Sequence, residues 1–182
     1  MSIHLMRFGI QKANGAGGGG GSPTTIFAPT VTPASDDNNP NYFFRMVPTL
    51  AVTLAGQVRV TFKASSTALN IAGASFGKFS SYPAITTATP LPFLFSGSAT
   101  ASISANNELT SDWLNVSGLS ITSGQQAVVI LDTGANGGTK YSSGNTNVDT
   151  FYGAGPSSGL ADPGGAADSL GFSWGLTKIE TQ

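Results

Sequence analysis

Apolar and polar residues alternate with a period of two in Gln57-Val-Arg-Val-Thr-Phe-Lys63. Val58, Val60 and Phe62 fall on one side, and Arg59, Thr61 and Lys63 on the other. Successive side chains of a strand point to opposite faces, so this spacing predicts a β-strand with one buried and one wet face. Short apolar runs recur along the chain and predict further strands at 42–54 (interrupted by Pro48), 68–76, 91–95, 99–104, 112–116, 126–132, 148–152 and 170–180. Gly, Pro, Asn and Ser punctuate them, the signature of many short strands joined by tight turns. No stretch sustains a 3.6-residue apolar period with caps at its ends, so little helix is expected. The pattern predicts an all-β fold, an antiparallel β-sandwich. Two glycine-rich stretches, 133–147 and 153–168, are expected at its edges as loops.

The same pattern divides the chain. Residues 1–12 hold a small apolar segment with Ile3, Leu5, Met6, Phe8 and Ile10. Five consecutive glycines, Gly17–Gly21, follow it, and a run without side chains to pack is a tether. Residues 1–22 therefore read as an extended N-terminal arm, and its five apolar residues are the candidate partner contacts. Residues 23–41 read as a loop, because Pro23, Pro29, Pro33 and Pro40 bracket the polar run 35–39. The sandwich itself is expected over 42–182, with jelly-roll character.

Composition narrows the function classes. Only 9% of the 182 residues are charged, against roughly 25% in an average soluble domain. Eight basic and nine acidic residues are spread thinly, so no basic patch is available to neutralise phosphates, and no nucleic-acid partner is expected. A surface with so little charge has little colloidal repulsion and suits packing against neighbours. The absence of cysteine removes disulfide scaffolds, zinc ribbons and thiol nucleophiles from consideration. No run reaches the eighteen or so apolar residues of a membrane span, and the first ten residues lack a signal-peptide pattern. The expected product is made in a cytoplasm and not secreted by the standard route, with neither membrane nor cofactor.

Candidate chemistry is sparse. Val128-Val-Ile-Leu-Asp-Thr-Gly-Ala135 runs an apolar strand into Asp-Thr-Gly-Ala, which resembles the active-site loop of retroviral-type aspartic proteases. Those enzymes pair two such aspartates around one proton. A second Asp-Thr-Gly or Asp-Ser-Gly does not occur, and no arginine follows Arg59 to supply that family's later apolar-Gly-Arg segment. The favoured reading makes Asp132 a turn cap through its carboxylate, with an aspartic hydrolase as the remote alternative. His4 is the sole histidine and precedes the tether, away from any serine and aspartate of the sandwich. Asn145, Asn147 and Asp149 alternate oxygen-bearing side chains in a manner faintly like a calcium loop, with Asp162 and Asp168 as further ligands; as ordinary turn residues they need no metal. Among the aromatics, Tyr141 and Tyr152 are the candidates for stacking on a glycan, whereas Trp113 and Trp174 are expected in the core.

Two stretches together resemble a known family. They are 57–62 with Ala68-Leu-Asn-Ile-Ala-Gly-Ala-Ser-Phe-Gly77, and Leu109-Thr-Ser-Asp-Trp-Leu-Asn-Val116 with 119–131 and a later aromatic, Tyr141 or Tyr152. In this order they look like the jelly-roll accessory domain beside bacterial SGNH-type esterases, and like β-sandwich domains of tailed-phage virion proteins. The Gly-Asp-Ser block and terminal Asp-x-x-His of the esterase proper are missing, so the resemblance implies the fold without the activity. It implies a non-enzymatic virion protein, such as a capsid decoration, spike or tail-associated subunit. Its expected partners are other virion proteins and further copies of itself. A carbohydrate-binding module or adhesin is the alternative.

Overall fold

The computed structural model describes residues 22–29, 39–54, 56–82, 84–85, 89–137, 140–141, 148–165, 167–170 and 173–182. In chain order the strands are β1 (Thr24–Phe27), β2 (Tyr42–Pro48), β3 (Gln57–Lys63), β4 (Leu69–Ser81), β5 (Ala84–Ile85), β6 (Leu91–Pro92), β7 (Ala101–Ile103) and β8 (Glu108–Thr110). They continue with β9 (Leu114–Asn115), β10 (Ala127–Gly137), β11 (Lys140–Tyr141), β12 (Val148–Ala154), β13 (Ala167–Leu170), β14 (Ser173–Trp174) and β15 (Leu176–Thr181). One 3₁₀ turn, Ser117–Leu119, is the sole helical piece among the described residues. The fold is all-β, as the alternation predicts.

Two antiparallel sheets face each other. The smaller runs β1–β15–β3–β8, with β9 also on β3; the larger runs β13–β12–β2–β10–β4–β5, with β6 and β7 also on β4. The chain changes layer repeatedly, from β2 across to β3, back to β4, across to β8 and β9, and back to β10. Between the layers, Val58, Val60, Phe62, Leu176 and Ile179 of the small sheet meet Phe44, Met46, Ile71, Phe76, Val129 and Leu131 of the large one. All eleven are at most 2% exposed. Each fully buried large side chain contributes about 1.5–3 kcal/mol relative to its exposed state, which makes this layer the main source of stability.

The large sheet is buried on its other face too. In β2 and β10 the residues between the inward ones, Phe43 and Val47, Val128 and Ile130, join Phe151 in a second apolar cluster. This explains the unbroken apolar run Ala127–Leu131: a central strand covered on both sides has no wet face to alternate with. Arg45 and Asp132 belong by register to the same outward face.

Two local findings differ from the sequence reading. Residues 24–27, read as part of a loop, form β1 at the edge of the small sheet, where Thr24 lies opposite Thr181 and Phe27 opposite Ile179. Pro23 and Pro29 hid it; proline is tolerated beside an edge strand, and the four residues between are enough to bury Ile26 and Phe27. Thr61, assigned to the wet face of β3, is 3% exposed. Its hydroxyl bonds that of Thr110 at 2.9 Å, and its carbonyl accepts the Thr177 hydroxyl at 3.2 Å. Cross-strand threonine pairs satisfy one another and so can leave water.

Candidate functional site

Arg45 is the only charged residue of β2, and it points out of the large sheet between two apolar neighbours. Ile130 lies opposite it on β10 and Phe151 on β12. Its side chain is nonetheless fully buried. A guanidinium taken from water costs several kcal/mol unless its donors are met. The segment after β12, residues 155–162, meets them. Nη1 donates to the Ala161 carbonyl at 2.9 Å, Nη2 to the carbonyls of Ser157 (3.2 Å) and Leu160, and Nε lies 3.5 Å from the Ser157 hydroxyl. Burial lowers the Arg45 pKa to about 10, while the charges of Asp162 and Asp132 oppose the fall.

Asp132 holds the same segment from β10. One carboxylate oxygen accepts the Ser157 N–H and the other the Ser158 N–H, both at 2.8 Å. From β4, the Ser75 hydroxyl donates to the Ser158 carbonyl at 2.7 Å. Residues 155–162 thus form a strap laid across the outer face of the large sheet. Backbone polar groups that find no strand partner there are satisfied by three side chains instead. Gly73 makes room for the strap, since a Cβ at that position would stand 2.5 Å from the Ser158 hydroxyl. Ala161 of the strap packs on the second apolar cluster, and the exposed Tyr82 meets Phe151 of that cluster edge-on with ring centroids 4.5 Å apart.

The geometry gives Asp132 the anchoring role expected of a cap, although across the sheet rather than within its own turn. Both carboxylate oxygens are engaged by amides, and the residue is 2% exposed. The sequence reading finds no Gly-x-Ser-x-Gly nucleophile elbow, but Gly155-Pro-Ser-Ser-Gly159 carries that spacing. That motif needs its serine exposed on a strand-to-helix turn. Here Ser157 is fully buried beside Arg45 and belongs to the strap.

An apolar cleft of about 280 Å³ opens beside the strap. Ala72, Gly73 and Ala74 of β4 form one wall; Thr89, Pro90, Pro92, Phe93 and Ala99 a second; and Ser158 and Gly159 the third. None of these residues is charged. Leu94 and Leu160, each adjacent in sequence to a lining residue, are 40% and 47% exposed.

The predicted site residues scatter relative to this region. Ile3, Leu5, Met6, Phe8 and Ile10 of the arm lie outside the described residues, as do Asn145 and Asn147 of the calcium reading. Asp149 sits on β12 opposite Val47, and the Asp162 carboxylate accepts the Gly164 N–H at 2.8 Å in a local turn. Among the described residues no three acidic, histidine or cysteine groups gather for a metal. Tyr141 pairs with Ser173 on the β11–β14 ribbon, and the next residue, Trp174, has its ring 6.2 Å from that of Tyr152. Trp174 is a core residue, stacked 4.2 Å from Phe44, and Tyr152 is half-buried beside the same Phe44 at 6.5 Å. Trp113 departs from its expected core position: it is half-buried just before β9, with the Arg59 guanidinium 4.5 Å above its ring. A cation over an indole face occupies the surface that a sugar would need.

Arg45 is the residue that sequence reasoning missed. The available signal was a lone arginine inside Tyr42-Phe-Phe-Arg-Met-Val-Pro48, where both strand faces are otherwise apolar. No known protein family matches this chain, and no curated protein matches it.

Proposed function

We propose that the chain is a structural subunit of a virus particle, of the kind that decorates a bacteriophage capsid or belongs to its spike or tail. The observation that carries this reading is how little charge the molecule presents. Of its 17 charged residues, Arg45, Asp132 and Glu180 are also buried, so the surface is poorer in charge than the composition alone states. Freely diffusing proteins hold themselves apart with mixed surface charge, whereas a surface of Ser, Thr, Ala, Asn and Gly suits close packing against neighbours. A two-sheet sandwich with jelly-roll character is a rigid brick for such an array, and the resemblance to tailed-phage virion domains points the same way. The apolar arm on its glycine tether supplies contacts that gain strength when many copies bind one particle. Among the described aromatics, Trp174 is stacked on Phe44 in the core and the half-buried Trp113 has the Arg59 guanidinium over its ring, which disfavours both as platforms for a glycan.

Quantitative mass spectrometry of purified particles tests the proposal. The chain is expected at a fixed copy number per particle through successive density gradients. A chain that washes off to trace levels while the capsid protein stays constant overturns it.

A further inference from the structure

We propose that the cleft between the strap and Thr89–Phe93 receives the apolar residues of the N-terminal arm, 3–10, from a neighbouring copy of the chain. The proposal rests on the particle-subunit reading and names the contact through which copies hold one another.

Four observations converge on this occupant. The cleft, at about 280 Å³, falls just short of the roughly 300–1,000 Å³ of small-molecule sites, a size for one or two side chains. Its lining is uncharged, and the exposed Leu94 and Leu160 each neighbour a lining residue in the chain. Exposed carboxylates adjoin its lining segments along the chain. Asp112 is exposed and holds the turn between Phe93 and Ala99 by accepting the N–H groups of Ser96 (3.2 Å) and Gly97 (2.7 Å); exposed Asp162 follows the strap lining. Residues 1–21, which precede the described chain, carry Arg7 and Lys12 and no acid, so the arm is cationic as well as apolar. Apolar side chains between cationic ones match an uncharged cleft whose lining segments adjoin carboxylates in the chain.

Topology selects the neighbouring copy. The described chain begins at β1 in the small sheet, whereas the cleft lies on β4 of the large one. An arm that stays on its own molecule must turn round the edge of the sandwich. An arm that passes to a neighbour has the whole tether as reach, about 3.3–3.6 Å per residue when extended.

The chain has no cysteine, so single thiols report without background. Full-length chains bearing Phe8→Cys are mixed with chains bearing Ala99→Cys, in the cleft, or Gly118→Cys, an exposed position with open space around it on the 3₁₀ turn. Docking raises the local thiol concentration, so disulfide formation is expected at least about tenfold faster with Ala99→Cys than with Gly118→Cys. One molar salt or Asp112→Asn should reduce that preference, as screening of a charged contact requires. Equal rates at the two positions overturn the docking site. A full-length Phe8→Cys/Ala99→Cys chain that closes only within itself, at every concentration, overturns the exchange between copies. The subunit reading is judged separately, by copy number in particles.

Discussion

Asp132 shows how one carboxylate can replace a stretch of backbone pairing. It accepts two amides of the strap, so Asp132→Asn turns one acceptor into a donor and leaves a buried N–H facing it. The expected loss is about 1–3 kcal/mol, the penalty of one buried unsatisfied group. Chemical denaturation of the purified variant measures it; an unchanged midpoint would mean that the strap is not anchored there. Gly153 makes a second test at the same scale. A Cβ on it would approach the Phe43 ring to 2.7 Å, within the cluster beneath the strap. That ring is 4% exposed and hemmed in, so Gly153→Ala should cost about 1–3 kcal/mol through overpacking. Gly73→Ala crowds chiefly the Ser158 hydroxyl, at 2.5 Å, which can rotate, whereas Ser158 Cβ and Asp132 Oδ2 stand at 3.4 and 3.5 Å, so it should cost less. Equal midpoints for the two variants would contradict this ordering.

Among the elements, β15 carries a pH dependence. Glu180 on it accepts the Arg59 Nε–H at 2.8 Å and lies 3.2 Å from the Lys178 amine. Burial pushes its pKa up, but those two hydrogen bonds and charges outweigh burial and leave it below 4.5. A carboxyl with a depressed folded pKa binds fewer protons folded than unfolded, so its stabilisation is present above about pH 4.5 and is lost as the pH falls through the folded value. Glu180→Gln should therefore flatten the acid side of the stability profile and spare its slope above pH 5. Thermal melts from pH 3 to 7 check this, and an unchanged acid slope would count against the pairing. β3 was legible from sequence with both ends correct, because one of its faces is wet enough for alternation to show. β10 was legible as a buried run but extends past Asp132 to Gly137, since its polar continuation still pairs with β4. β1 was hidden by its flanking prolines and its four-residue length. The strap was read only as a glycine-rich loop, because the residues that fix it, Arg45, Ser75 and Asp132, are 112, 83 and 25 positions away in sequence and no local pattern connects them.

For the whole molecule, the described sandwich begins at β1, after residues 1–21. Deleting residues 1–21 leaves β1 intact and should not lower the melting temperature. Deleting 1–29 removes Ile26 and Phe27 from the small sheet and should cost about 1.5–3 kcal/mol for each. Calorimetry of the two truncations distinguishes arm from sandwich: equal melting temperatures would remove β1 from the fold. The central claim, that this charge-poor sandwich is a particle subunit, is tested most directly by co-sedimentation. Purified full-length chain is added to particles stripped of it, and the pellet is quantified against concentration. The account predicts saturable binding at a fixed number of copies per particle. A chain that remains in the supernatant at every concentration, while the particles pellet intact, would contradict it.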